Sequence, residues 1–167
     1  MGCIVTQLQD DIQVSFELNR APAEASVAPQ TLLIDMLRDT FGLTGSKRSC
    51  DMQVCGACTT LVDGSPVSAC TVPAFEVRGC SVLTIEGLVT EERSLALTEA
   101  FVDNAAFQCG YCTPGMLLAA KALLDVSSRP SEEQIKDYMR GNLCRCTGYK
   151  KIVESIVSVG KGGAQAP

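Results

Sequence analysis

The sequence predicts an α+β chain in two parts. Residues 1–88 read as strands wrapped around one helix, and residues 89–167 as four helices with a mobile C-terminal tail. Three observations predict this division. Before about residue 87, short runs alternate apolar and polar side chains, the period of a half-buried strand; beyond it, apolar residues recur at helical spacing. Helix punctuation then appears, with Thr113-Pro114 opening one segment and the box Ser131-x-x-Gln134 opening another. Finally, eight of the ten cysteines fall into two sets of four, one set in each part.

In chain order, alternation over Val14 to Leu18, turn residues from Asn19 to Pro22 and a return over Ala23 to Val27 predict a first hairpin. Thr31 is placed to cap a helix carrying Leu32, Leu33, Met36 and Leu37, which Phe41-Gly42 ends. The loop from Gly42 to Ser49 delivers Cys50. After Cys58, the run Thr59 to Val62, the Asp63-Gly64 turn and the run Pro66 to Ala69 predict a second hairpin ending at Cys70, and Val82 to Ile85 adds a strand. Strands around one helix, with a cysteine loop between helix and hairpin, describe a β-grasp, plant-type ferredoxin domain.

In the second part, Ser94 to Phe107 reads as one helix. Thr113 (as N-cap) and Pro114 (at the first helical position) begin another that runs through Leu124. Its residues Met116 to Ala120 and Ala122 to Leu124 are apolar on most sides, so it belongs at the centre of a domain or in an interface. The third helix starts at the Ser131 box, the fourth covers Tyr149 to Val159, and GKGGAQAP is the tail. CGYCTPG precedes the second helix and CRCTGY the fourth, which predicts cysteine pairs at two helix N-termini and helices packed as two antiparallel pairs. Positive dipole ends there would stabilise a bound anionic centre.

Composition narrows the chemistry. A chain of 167 residues with 46% hydrophobic content can bury a core, and its net charge of -5 argues against a nucleic-acid footprint or an anionic membrane surface. The N-terminal residues have neither a basic nor an apolar targeting region, and no apolar run suits a bilayer, so the expected location is the cytoplasm. In that reducing compartment paired cysteines point to metal rather than to disulfides. Met1-Gly2 with Thr6 matches a short acylation pattern that lacks a polybasic companion, and Cys3 is read as a free thiol.

Cys50, Cys55, Cys58 and Cys70 read C-x4-C-x2-C with a fourth cysteine after eleven residues, the plant-type ligand spacing of a [2Fe-2S] cluster. Cys109, Cys112, Cys144 and Cys146 read C-x2-C and C-x-C, two short pairs converging on a second centre. Structural zinc is the alternative for both sets, although zinc ribbons usually join two C-x2-C knuckles. With no histidine in the chain, Rieske ligation and mixed Cys/His zinc sites are excluded. Histidine is also missing as a catalytic base, and Glu91, Glu92, Glu132 and Glu133 stand at helix starts or turns. The pattern is that of an electron carrier, either a subunit or a free-standing two-cluster shuttle. Cys80 belongs to neither set and reads as a half-buried thiol near a strand edge.

The strings CDMQVCGACTTLVDG, QCGYCTPGM and GNLCRCTGY closely resemble the small iron-sulfur subunit of the molybdenum hydroxylases, the xanthine oxidase family, over about Val14 to Val159. That resemblance implies one [2Fe-2S] cluster in each domain, the second set nearest molybdenum and the first facing flavin. It implies a large partner where substrate is hydroxylated with oxygen from water, a medium partner holding FAD, and assembly as a dimer of heterotrimers. Gln108 and Cys109 would lie against the pterin of the molybdenum cofactor, in its dinucleotide form. The chain departs from the family at Ser49 and Gln53, where glycine is usual. A non-glycine there costs roughly 1 kcal/mol if its backbone is left-handed, and a changed loop implies a changed potential for that cluster.

Overall fold

The computed structural model describes residues 11–162. Strand β1 (Ile12–Leu18) pairs antiparallel with β2 (Ala21–Val27), and Leu18 lies opposite Ala21. The turn is therefore the two residues Asn19 and Arg20, both left-handed at φ 51° and 69°, tighter than the expected Asn19 to Pro22. Two successive left-handed residues give the turn twist that matches paired strands. Alternation directs Val14, Phe16 and Leu18 inward.

Helix α1 (Leu33–Asp35) continues into a π-helical turn, Met36–Thr40, closed by the Phe41 N–H donating to Met36 O at 3.2 Å. Thr31 is not its cap. Leu32 takes the N-cap position without a side-chain bond, because the free N–H groups of Leu33 and Ile34 find the carbonyls of Val72 (2.8 Å) and Ala69 (3.0 Å). Thr31 instead accepts the N–H of Ala74 through its carbonyl. Leu33, Ile34, Met36 and Leu37 are fully buried.

β3 (Thr59–Val62) and β4 (Ser65–Ser68) form the second hairpin around Asp63-Gly64, also left-handed at both turn residues. A 3-10 turn at Ala74–Val77, which sequence pattern did not signal, leads to β5 (Ser81–Leu83). This last strand is shorter than expected because Ile85 already begins the short helix α2 (Ile85–Leu88). The sheet order is β2-β1-β5-β3-β4, with β1 and β5 parallel and the other pairs antiparallel. It is a mixed β-grasp sheet packed on α1.

Four longer helices follow: α3 (Glu92–Asp103), α4 (Thr113–Val126), α5 (Glu132–Tyr138) and α6 (Lys150–Gly162). α3 stops before Phe107 because Ala105 turns left-handed at φ 50°; Ala106 N then bonds to Phe101 O and Ala105 N to Val102 O, a Schellman ending. With alanine in the place glycine usually takes, the sequence carried no stop signal there. At α4 the N-cap position belongs to Cys112 rather than Thr113, since Met116 N donates to Cys112 O at 3.0 Å. The Ser131 capping box forms as expected.

α3 packs on α6 and α4 on α5, while the other side of α4 lies on β3. Leu61 of β3 consequently belongs to the helical core, with Leu83 and Ile85 packed against it, whereas Val82 belongs to the core under α1. One sheet thus serves two cores and is the layer between them, with the apolar helix α4 at the centre of the helical one. No helix among the described residues is long and apolar enough to cross a membrane.

Candidate metal centres

The first cysteine set hangs on one loop and the end of one hairpin. Between Cys50 and Cys58 the backbone is left-handed at Asp51 (φ 53°), Gln53 (φ 61°) and Gly56 (φ 68°), which coils the loop around its thiols. Gln53 therefore holds the conformation for which glycine is suited, while Ser49 keeps a negative φ. The N–H groups of Met52, Val54 and Cys55 point at the Cys50 thiol and hold it down at about 6. Cys58 and Cys70 are neighbours in the interior, and burial pushes Cys58 up to about 12. Arg48 anchors the loop from outside, its guanidinium paired with Asp35 and donating to Asp51 Oδ2 at 3.1 Å.

The second set draws one cysteine from each segment into each of two pairs. Cys109 and Cys146, both exposed, stand 3.7 Å apart at sulfur, and Cys112 neighbours Cys144 deeper in. Burial pushes Cys112 up to about 12. Burial acts the same way on Cys144, but the Thr147 hydroxyl at 3.1 Å and the N–H groups of Cys146 and Thr147 outweigh it and lower that thiol. Tyr149 fixes the segment: its hydroxyl accepts from Cys144 N at 2.9 Å and donates to Asn142 O at 3.0 Å. Gln108 Nε2 donates to Cys146 O at 3.0 Å, so this exposed side chain braces one cysteine-bearing segment against the other.

Helix N-termini frame the set unequally. Cys112 stands at the N-cap of α4, but Cys146 is separated from Lys150, where α6 begins, by Thr147 and two left-handed residues, Gly148 (φ 65°) and Tyr149 (φ 67°). Of the two segments, the one ending at Cys112 sits directly on a dipole end and the one ending at Cys146 does not.

The donor set suits iron-sulfur ligation. Among the described residues no three Cys, His, Asp or Glu side chains group tightly enough for a single metal ion. The thiols associate two by two instead, and a [2Fe-2S] cluster needs four thiolates spread over two irons. Thiols as reluctant to ionise as Cys58 and Cys112 become thiolates when a bound cation takes the charge.

The two loops are also fastened to each other. Leu143 N donates to Cys55 O at 2.8 Å, Asn142 Nδ2 to Gly56 O at 3.1 Å and to Thr59 Oγ1 at 3.2 Å, and the Tyr111 hydroxyl to Arg48 O at 2.6 Å. A Cβ on Gly115 would lie 2.2 Å from Gly56 O, so backbone meets backbone where α4 approaches the first loop. Sequence reasoning missed Asn142, Tyr149, Tyr111 and Arg48. Their one signal was position, each standing within three residues of a ligand cysteine.

Two family models match the chain, "2Fe-2S iron-sulfur cluster binding domain" over residues 16–80 and "[2Fe-2S] binding domain" over residues 84–157. A chain of a probable xanthine dehydrogenase of Bacillus subtilis is 46% identical over 88% of this chain and 84% of that one. The nicotinate dehydrogenase small FeS subunit of Eubacterium barkeri is 43% identical over 87% of this chain and 92% of its own length. Among solved structures, a chain of quinoline 2-oxidoreductase from Pseudomonas putida 86 superposes with a TM-score of 0.86 at 41% identity, covering 91% of this chain and 95% of that chain. A shared fold at this identity, reached with both cysteine-bearing domains matched in order, leaves one assignment: the chain belongs to the small iron-sulfur subunits of the molybdenum hydroxylases, the xanthine oxidase family, and is a non-catalytic electron-transfer subunit of an oxidoreductase.

Proposed function

We propose that this chain relays single electrons from a molybdenum cofactor in a large partner subunit to FAD in a medium one. Cys109, Cys112, Cys144 and Cys146 would hold the molybdenum-side [2Fe-2S] cluster, and Cys50, Cys55, Cys58 and Cys70 the flavin-side one. Each bound cluster supplies a site that accepts and gives up one electron. The chain's own residues do the rest: they ligate, exclude water around Cys58 and Cys70, and hold the two loops in register.

The observation that carries this reading is the fastening of one cysteine loop to the other, which makes the two sets neighbours in a single rigid unit. Exposure supports the outward connections. Phe107, Gln108 and Cys109 are exposed on the second set, which suits a pterin held by the large partner. Met52 and Val54, 67% and 55% exposed, stand on the first loop, where apolar side chains would be covered by the medium partner. The division into domains near residue 88, residence in the cytoplasm and a dimer of heterotrimers belong to the same reading.

Iron and acid-labile sulfide analysis of the purified complex tests it, with about four of each expected per copy of this chain; zinc in their place would overturn it. The exchange Cys112→Ser is expected to abolish steady electron flow from substrate to flavin while leaving one round of substrate-driven molybdenum reduction. Undiminished turnover by that variant would refute the relay.

A further inference from the structure

We infer that Asn142 is a positioning residue for electron exchange between the two cysteine sets, an inference that rests on the relay just proposed. Leu143 and Cys55 join the sets by the shortest bonded route between the loops. Cys144, a ligand of one set, is covalently next to Leu143, and the Leu143 N–H donates at 2.8 Å to the carbonyl of Cys55, a ligand of the other. One hydrogen bond therefore completes a path that is otherwise covalent from thiol to thiol. Electronic coupling falls off less steeply through bonds than across a gap, so this contact matters more than its small share of the interface suggests. The Tyr111 hydroxyl makes the second link, but it reaches Arg48 O, two residues before Cys50, through a whole side chain.

Asn142 holds the shorter link in place from both sides. Its backbone is extended (φ -118°, ψ 109°), which turns the following N–H toward Cys55. Its carboxamide, 6% exposed, donates to Gly56 O at 3.1 Å and to Thr59 Oγ1 at 3.2 Å, so it grips the residue after Cys55 while Leu143 grips Cys55 itself. Its carbonyl accepts the Tyr149 hydroxyl, whose oxygen in turn accepts Cys144 N. Asn142 thus ties Cys55, Thr59, Tyr149 and Cys144 into one hydrogen-bonded frame. A Cβ on Gly56 would come within 2.5 Å of the Asn142 amide nitrogen and of Gly141 O, so the fit leaves no slack. In the exchange one electron leaves the molybdenum-side set and enters the flavin-side set; no bond forms or breaks and no proton moves.

The test compares Asn142→Asp, which keeps shape but replaces the donor with an acceptor facing the Gly56 carbonyl, with Arg20→Ala. The latter removes an ion pair to Glu91 that joins the two domains elsewhere. Both are made in the assembled complex, and each sample is checked for iron and for both cluster EPR signals. Should the aspartate variant lose iron, Asn142→Ser, too short to reach Gly56, gives the same readout. The Asn142 variants are expected to keep both signals, to change the spin–spin broadening between the two reduced clusters as the loops shift, and to slow inter-cluster transfer by about tenfold or more; Arg20→Ala should change neither. Wild-type broadening and rate in an iron-replete Asn142 variant, or equal losses in Arg20→Ala, would overturn the inference. Failure to find two clusters in the unmutated complex would instead sink the relay on which it rests.

Discussion

Gln53 shows how a residue can look wrong by type and still occupy the required shape. At φ 61° it adopts a left-handed conformation in the loop that carries Cys50 and Cys55, where glycine would enter without steric cost. The cost is about 1 kcal/mol. Replacing Gln53 by glycine returns part of that, since the unfolded chain also gains freedom, whereas valine, branched at Cβ, fits left-handed backbone worse. Thermal unfolding of the cluster-loaded chain should order the variants Gly at or above Gln, and Val lower by about 1 kcal/mol or more. Cys80, which belongs to neither set, illustrates a different residue-scale effect. Burial and the nearby Asp63 carboxylate raise its thiol, so the thiolate forms less readily than that of an ordinary cysteine. Alkylation of Cys80 should therefore be slow at about pH 8, just below the ordinary range of a thiol, and Asp63→Asn should speed it by removing the repelling charge; an unchanged rate would exclude the Asp63 contribution.

Helix starts divide by whether tertiary contacts compete with the local side-chain cap. At α5 nothing competes: Ser131 and Gln134 exchange their hydrogen bonds as the S-x-x-Q pattern requires. Ser131→Ala should cost about 1 kcal/mol in thermal unfolding. At α1 the N–H groups that Thr31 would have capped are taken by Ala69 and Val72, carbonyls remote in sequence and therefore not legible in a local pattern. α4 adds the constraint of close approach. Alanine at Gly115 would gain helix propensity in a peptide, yet here its methyl would meet Gly56 O at 2.2 Å, a backbone atom that cannot swing aside. Gly115→Ala is expected to destabilise by about 1–3 kcal/mol and to reduce iron content of the first set, both measurable on one preparation.

Across the whole molecule the two domains share a strand, which makes them one mechanical unit. Leu61 lies on β3 of the sheet domain but is 1% exposed within the helical core. Truncation to alanine should cost about 2–5 kcal/mol, and because both cores meet at that layer, loss of visible cluster absorbance and of helical circular dichroism should shift together. Two separated transitions would mean that the domains unfold independently. The same packing, with the bonds between the two cysteine loops, brings eight thiols from separate stretches of chain into two neighbouring groups.

Local sequence was enough for the inventory and its grouping: strand period before residue 87, helical period after it, and four cysteines on each side at spacings that few metals accept. These are local quantities, set by side-chain period and by the reach of a short loop. Which cysteines stand as partners, Cys109 with Cys146 and Cys112 with Cys144, was left to the folded chain, because each pair joins segments far apart in sequence. The fold likewise gave Asn142, Tyr111 and Tyr149, unremarkable as residue types, their task of binding the two loops into one. Hydrogen bonds between distant backbones leave no periodic trace in a sequence, and their residues become legible once the fold has brought them within about 3 Å.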